Sequence, residues 1–167
     1  MKGQSEMLIF VLLFLIGIAL FTSATIWSRS IFQQNIDVAR IEKAEKFMKE
    51  LNDAISNIIK FQGSQEIKYK LDGTIELVDD ETVEVKIPVT ISLPTEWVNI
   101  SSDTSFIREK LEGRDFRIQL IYSQSNYKVE FFTEGSTKAT PDYVKLERDQ
   151  TYSNAGTTVI KIKVTFI

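Results

Sequence analysis

Asp79-Asp80-Glu81 is the densest run of carboxylates in the chain. Carboxylates hold calcium when their oxygens are spaced around a loop. Here they are consecutive and lack that spacing, so an acidic turn between strands is the expected role. The chain has no histidine. That removes the commonest general base near neutral pH and the commonest metal ligand. Its scattered serines therefore have no imidazole to activate them, and a Ser-His-Asp arrangement is impossible. No glycine-rich loop is present to cradle phosphate. The sequence thus assigns no catalytic, cofactor-binding or metal-binding residue, and a non-enzymatic role is expected. One triplet has modification chemistry: Asn99-Ile100-Ser101 is an N-glycosylation acceptor pattern, placed after Pro94 and Trp97 in what reads as an exposed loop. Trp97, Phe131 and Phe132 are aromatics suited to core packing or to a contact patch.

Composition narrows the classes further. The 167 residues include 20 Lys+Arg and 23 Asp+Glu, a net charge of -3. Nucleic acid is not an expected partner, because a phosphate-binding surface needs a basic stripe. Cysteine is absent, so stability must come from packing.

The elements that would position any of these residues start with a long rod. Residues 7–27 read MLIFVLLFLIGIALFTSATIW and carry no charge. At 1.5 Å per residue, about 20 such residues span a hydrocarbon core of about 30 Å. Every face is apolar, and the rest of the chain is too small to wrap such a helix as a soluble core. Thr22-Ser23-Ala24 imitates a signal-cleavage site, yet the helical pattern runs straight past it. Lys2 favours a cytoplasmic N-terminus, while Arg29 lies just beyond the other end. Residues 28–62 continue the helix. Ala44, Met48, Leu51, Ile55 and Ile58 recur at steps of three or four and form one apolar stripe. Glu42 with Lys46, and Glu45 with Lys49, are spaced as i,i+4 pairs. Gly63 is placed to cap the end.

After Gly63 the period changes to alternation. Asp72-Gly73 reads as a hairpin turn between the runs at 67–71 and 75–77. Val83 through Ile91 alternate, with Pro88 marking an edge or a bulge. Ile118, Leu120 and Tyr122 are expected to face Tyr127, Val129 and Phe131 around Gln124-Ser125-Asn126. Two final strands meet through Asn154-Ala155-Gly156. Residues 103–113 suit a short helix capped by Asp103 or Ser105. The expectation is an α+β chain: a long N-terminal helix, then about seven antiparallel strands in a sandwich-like domain with the lower helix stripe against one face.

The opening residues KGQSEMLIFVLLFL resemble the class III signal of archaeal type IV pilin-like proteins. In that family a short basic leader ends in glycine, and a prepilin peptidase cuts before a glutamine. The resemblance implies a leader at residues 1–3, cleavage between Gly3 and Gln4, a retained helix over residues 4–62 and a β domain over residues 63–167. It implies that residues 7–27 serve first as a membrane anchor and then as filament core, with residues 28–62 as the amphipathic part. Glu6 would either pair with the terminal amine of a neighbouring subunit or rest among headgroups. Gln4, Ser5 and Glu6 are consecutive, a tighter spacing than in many members. Leu12, Leu15, Gly17 and Ala19 would lie in the helix core; Gly17, Ala19, Ser23 and Ala24 are small enough for close helix approach, in a filament or in a bilayer dimer. The implied partners are copies of the chain or other pilins, the peptidase and the membrane. The implied product is an extracellular surface filament, with adhesion as a further role. The alternative is an anchored accessory, stator or binding protein that never assembles.

Overall fold

The computed structural model describes residues 2–101, 106–122, 127–154 and 156–167, with residues 2–6 and 101 described by backbone alone. The fold is α+β. One α-helix, α1, runs from Lys2–Phe61. Ten strands follow among the described residues: β1 (Ser64–Lys68), β2 (Thr74–Leu77), β3 (Thr82–Pro88), β4 (Val98–Ser101), β5 (Phe106–Glu112), β6 (Asp115–Ile121), β7 (Tyr127–Phe132), β8 (Lys138–Ala139), β9 (Tyr143–Asn154) and β10 (Thr157–Phe166). They form a four-stranded sheet in the order β1-β9-β10-β7 and a six-stranded sheet in the order β4-β5-β6-β3-β2-β8.

The chain divides into two compact units, Met1–Asp37 and Val38–Ile167. The boundary falls inside α1, so the lower part of the helix belongs with the strands rather than with residues 4–37. Side-chain burial gives the reason. Ala44, Met48, Leu51, Ile55 and Ile58 are all essentially inaccessible, and Ile41, Phe47 and Ala54 join them. The helical stripe and the inward residues of both sheets form one hydrophobic cluster. Burying Met48, Leu51, Ile55 and Ile58 contributes roughly 6–12 kcal/mol as an upper bound.

Polar contacts fix the helix in place. The Tyr122 hydroxyl donates to Asn52 Oδ1 at 2.6 Å, and its ring meets Phe131 edge-on at 5.9 Å. The helix stops at Gln62 (φ 62°) and Gly63 (φ 99°), both left-handed. Arg148 then donates from Nη1 to the Ile59 carbonyl at 3.1 Å, satisfying an end-of-helix acceptor with a cation.

The strand pairing departs from sequence expectation in several places. Asp72-Gly73 is not a hairpin turn, because β1 pairs with β9 while β2 pairs with β3 and β8. It carries the chain between sheets. Gly73 is needed for close approach: a Cβ there would lie 2.1 Å from the Lys86 carbonyl oxygen. Likewise β6 and β7 lie in different sheets, and β7 pairs parallel with β10. The alternation of Ile118, Leu120, Val129 and Phe131 reflects a common core rather than mutual pairing. Gln124-Ser125-Asn126 lies outside the described residues, as do Asp103 and Ser105. The segment expected as a short helix instead contributes β5, whose Ile107 enters the core. Pro88 is the last residue of β3, an interior strand rather than an edge, so its missing N–H falls at the end of the ladder, opposite Asp115. The antiparallel β9–β10 hairpin forms as expected, with Asn154 opposite Thr157. On the helix, Lys46 meets Glu50 at 3.7 Å, the reverse order to the expected Glu42–Lys46 pair.

Candidate assembly interface

The upper helix presents apolar side chains without covering them. An 18-residue window of it has mean hydropathy 2.7, and none of that window is buried. The helix is long and apolar enough to cross a membrane. Leu12 and Leu15 are 59% and 57% exposed, and the apolar surface continues past Trp27 through Phe32 and Ile36. The first residue of the buried hydrophobic cluster is Ile41. A Cβ added at Gly17 would meet nothing within 4 Å. Glycine costs helix stability of about 1 kcal/mol relative to alanine, and no intramolecular contact repays it there. Ala19 and Ala24 are exposed on the same segment.

Three hydroxyls within this surface are already satisfied. Thr22, Ser23 and Thr25 donate to the carbonyls of Ile18, Ala19 and Phe21 at 2.8, 2.9 and 2.8 Å. Such back-bonding leaves no hydroxyl donor unpaired in an apolar medium. The backbone of Gly3, Gln4 and Glu6 is helical.

The remaining sequence candidates fall elsewhere. Asp79-Asp80-Glu81 forms the turn from β2 to β3: Asp79 accepts from the Glu81 N–H at 2.9 Å, and Lys128 meets Asp80 and Glu81 at 3.2 Å each. Among the described residues no group of three or more metal-ligating side chains converges. Asn99 is exposed, but on β4 beside a register shift rather than in a loop. Phe131 is core, and Phe132 is half-buried. Trp97 is neither core nor free: the Arg108 guanidinium lies 4.5 Å and the Lys110 ammonium 4.8 Å from its ring.

The outer face of the six-stranded sheet holds a polar ladder that pattern reading did not reveal. Glu84 is wholly buried there. It accepts from Arg117 Nη2 at 2.8 Å and Gln119 Nε2 at 2.5 Å, with Lys86 Nζ at 3.1 Å. Lys86 also reaches Glu76 at 3.0 Å, and Arg108 donates to Gln119 at 2.9 Å. Burial by itself raises the Glu84 carboxyl, but the donors from Arg117, Gln119 and Lys86 outweigh it and hold the group below its ordinary value.

Glu109 is the opposite case. Its Oε2 is buried without a hydrogen-bond partner, beside Leu93, Pro94, Val98 and Phe116. Burial raises its pKa, and the charge of Glu45 adds to the rise. A raised folded-state pKa gives stability that is present below the unfolded value and lost as pH rises through the folded value. Glu109→Gln is therefore expected to stabilise the chain by about 1 kcal/mol at pH 7, with the gain vanishing below about pH 4. Thermal unfolding of both proteins across pH checks this; an equal gain at every pH would contradict it.

The chain matches no protein-family model, and neither the curated proteins nor the solved structures contain a significant match to it.

Proposed function

We propose that the chain is a structural subunit of an archaeal type IV pilus-like surface filament, made as a membrane-anchored precursor with its β domain outside the cell. One observation carries this reading: a helix apolar on all faces and buried nowhere runs without a break into a helix whose own stripe is fully packed in the β unit. Exposing such a surface to water would cost tens of kcal/mol, on the order of 25 cal/mol per Å². Lipid covers it before assembly. A bundle of the same helix from other copies, or from other pilins, covers it afterwards, and small residues at Gly17 and Ala19 admit close helix approach. The signal-like residues Lys2, Gly3 and Gln4 give the precursor its route, through removal of residues 1–3 by a prepilin peptidase. The covered surface does mechanical work, so no active site is required of the β domain. Its exposed loops and Asn99 are open to glycosylation and to adhesion.

The test is the mass of the chain extracted from its native membrane or from sheared surface material. The expected product begins at Gln4 and occurs in the sheared filaments. An intact Met1, or a chain confined to the membrane fraction, would replace this reading with that of a non-assembling anchored accessory or binding protein.

A further inference from the structure

The lower helix and the segment entering β2 enclose a groove of about 280 Å³ lined by Lys43, Lys46, Phe47, Glu50, Lys68, Lys70 and Leu71. Arg40 and Asp72 extend it at one end, 3.6 Å apart. The chain as a whole is acidic, with net charge -3, so this is a local inversion of charge. Its lysines are poorly neutralised. Lys46 meets Glu50 at 3.7 Å with both side chains more than half exposed, and Lys68 rests 5.7 Å from the Tyr143 ring centre. Among the described residues no carboxylate pairs with Lys43 or Lys70. Several lysines of the strands are by contrast paired: Lys86 meets two carboxylates and Lys128 three. Like charges that outnumber their counterions, Glu50 and Asp72, favour an anionic occupant.

The molecule carries a surface that fits. At the turn Asp79-Asp80-Glu81, three carboxylates, Asp80, Glu81 and Glu130, share the one cation Lys128, and Asp79 adds a fourth carboxylate to the turn that makes no ion pair with it. Asp79 accepts the Glu81 backbone N–H, and Asp80 keeps 59% of its side-chain surface exposed. Val78, next to the turn, is 47% exposed, an apolar side chain that matches the Phe47 and Leu71 floor of the groove. Groove and turn lie at opposite ends of β2 (Leu71 and Asp72 precede it, Asp79 follows it), so one copy cannot close the contact on itself.

We propose that the lysine groove of one copy receives the acidic turn of a second copy. The contact joins two different surfaces, so it propagates as a chain of copies instead of closing as a two-fold dimer. This deepens the filament reading and rests on it: the helices bury apolar surface, while the groove and turn set the direction in which the next copy is added.

Equal amounts of ordinary and nitrogen-15-labelled full-length chain, mixed in detergent, are treated with a zero-length carbodiimide and digested. The expected products are mixed-isotope peptides joining Lys43, Lys46, Lys68 or Lys70 to Asp79, Asp80 or Glu81. Lys70→Glu lowers their yield about tenfold, as does Asp79→Lys, and the two substitutions together restore it. Links found only within one chain, or between copies at other sites, overturn the proposal. So does a double variant that stays at the low yield. Filaments whose subunits lack these links remove this contact and leave the filament reading intact. Such links in a chain that never leaves the membrane do the reverse.

Discussion

Glu84→Ala lowers the unfolding free energy of the β unit by about 3 kcal/mol, because it leaves Arg117, Lys86 and Gln119 facing an empty site. The value sits at the low end for a broken buried ion pair. Arg117 and Lys86 keep 22% and 24% of their side-chain surface exposed, so water recovers part of their solvation. For a unit of this size the melting temperature drops by roughly 10 °C. Acid sensitivity changes with it. A depressed folded-state pKa stabilises above the unfolded value and loses that contribution as pH falls through the folded value. The native chain therefore loses stability on acidification below the ordinary glutamate value of 4.5, and the alanine variant lacks that share of the loss. Denaturant melts at pH 7 and pH 3 measure both effects; equal melting temperatures for the two proteins at pH 7 would contradict the role given to Glu84. Glu109 works in the other direction, so the double variant Glu84→Ala, Glu109→Gln separates the two contributions.

A charge at the middle of the upper helix has a still larger expected consequence for assembly. Leu15→Arg places a cation on a surface of exposed apolar side chains. The cost at the centre of a bilayer is about 3 kcal/mol, and a bundle of identical apolar helices offers no counterion either. Chain recovered in sheared surface material is expected to fall more than tenfold; Leu12→Arg behaves likewise. The unfolding transition of residues 38–167 stays unchanged, since Leu15 lies outside their core. Filaments at normal yield from either variant would refute packing of this helix against its own kind.

Local patterns were legible wherever one residue and its near neighbours carried the signal. The apolar run, the stripe Ala44-Met48-Leu51-Ile55-Ile58, the helix stop at Gly63 and the β9–β10 hairpin all followed from spacing along the chain. Sheet membership did not. Alternation tells that Ile67, Ile75, Ile118 and Val129 each sit on strands, but it is the same whichever partner a strand finds. The Asp72-Gly73 step therefore read as a hairpin when it joins two sheets, and the glycine serves a close backbone approach instead of a turn. Phe106–Glu112 mixes charged and apolar residues so evenly that helix and strand fit it alike, until pairing with β6 placed Ile107 inside.

The sequence by itself determined that residues 7–27 would be uniformly apolar and helical, because that depends only on composition and on a backbone that satisfies its own hydrogen bonds every four residues. Only the tertiary structure decided where the charges went. Glu84, Arg117 and Gln119 stand on two strands and come together because β3 pairs with β6, while the lysines of α1 and of residues 68–70 share a groove because the helix stripe seats beside the segment leading into β2. Such meetings join residues far apart in the chain, and long-range pairing is fixed by the shared burial of many side chains at once, which no local spacing encodes.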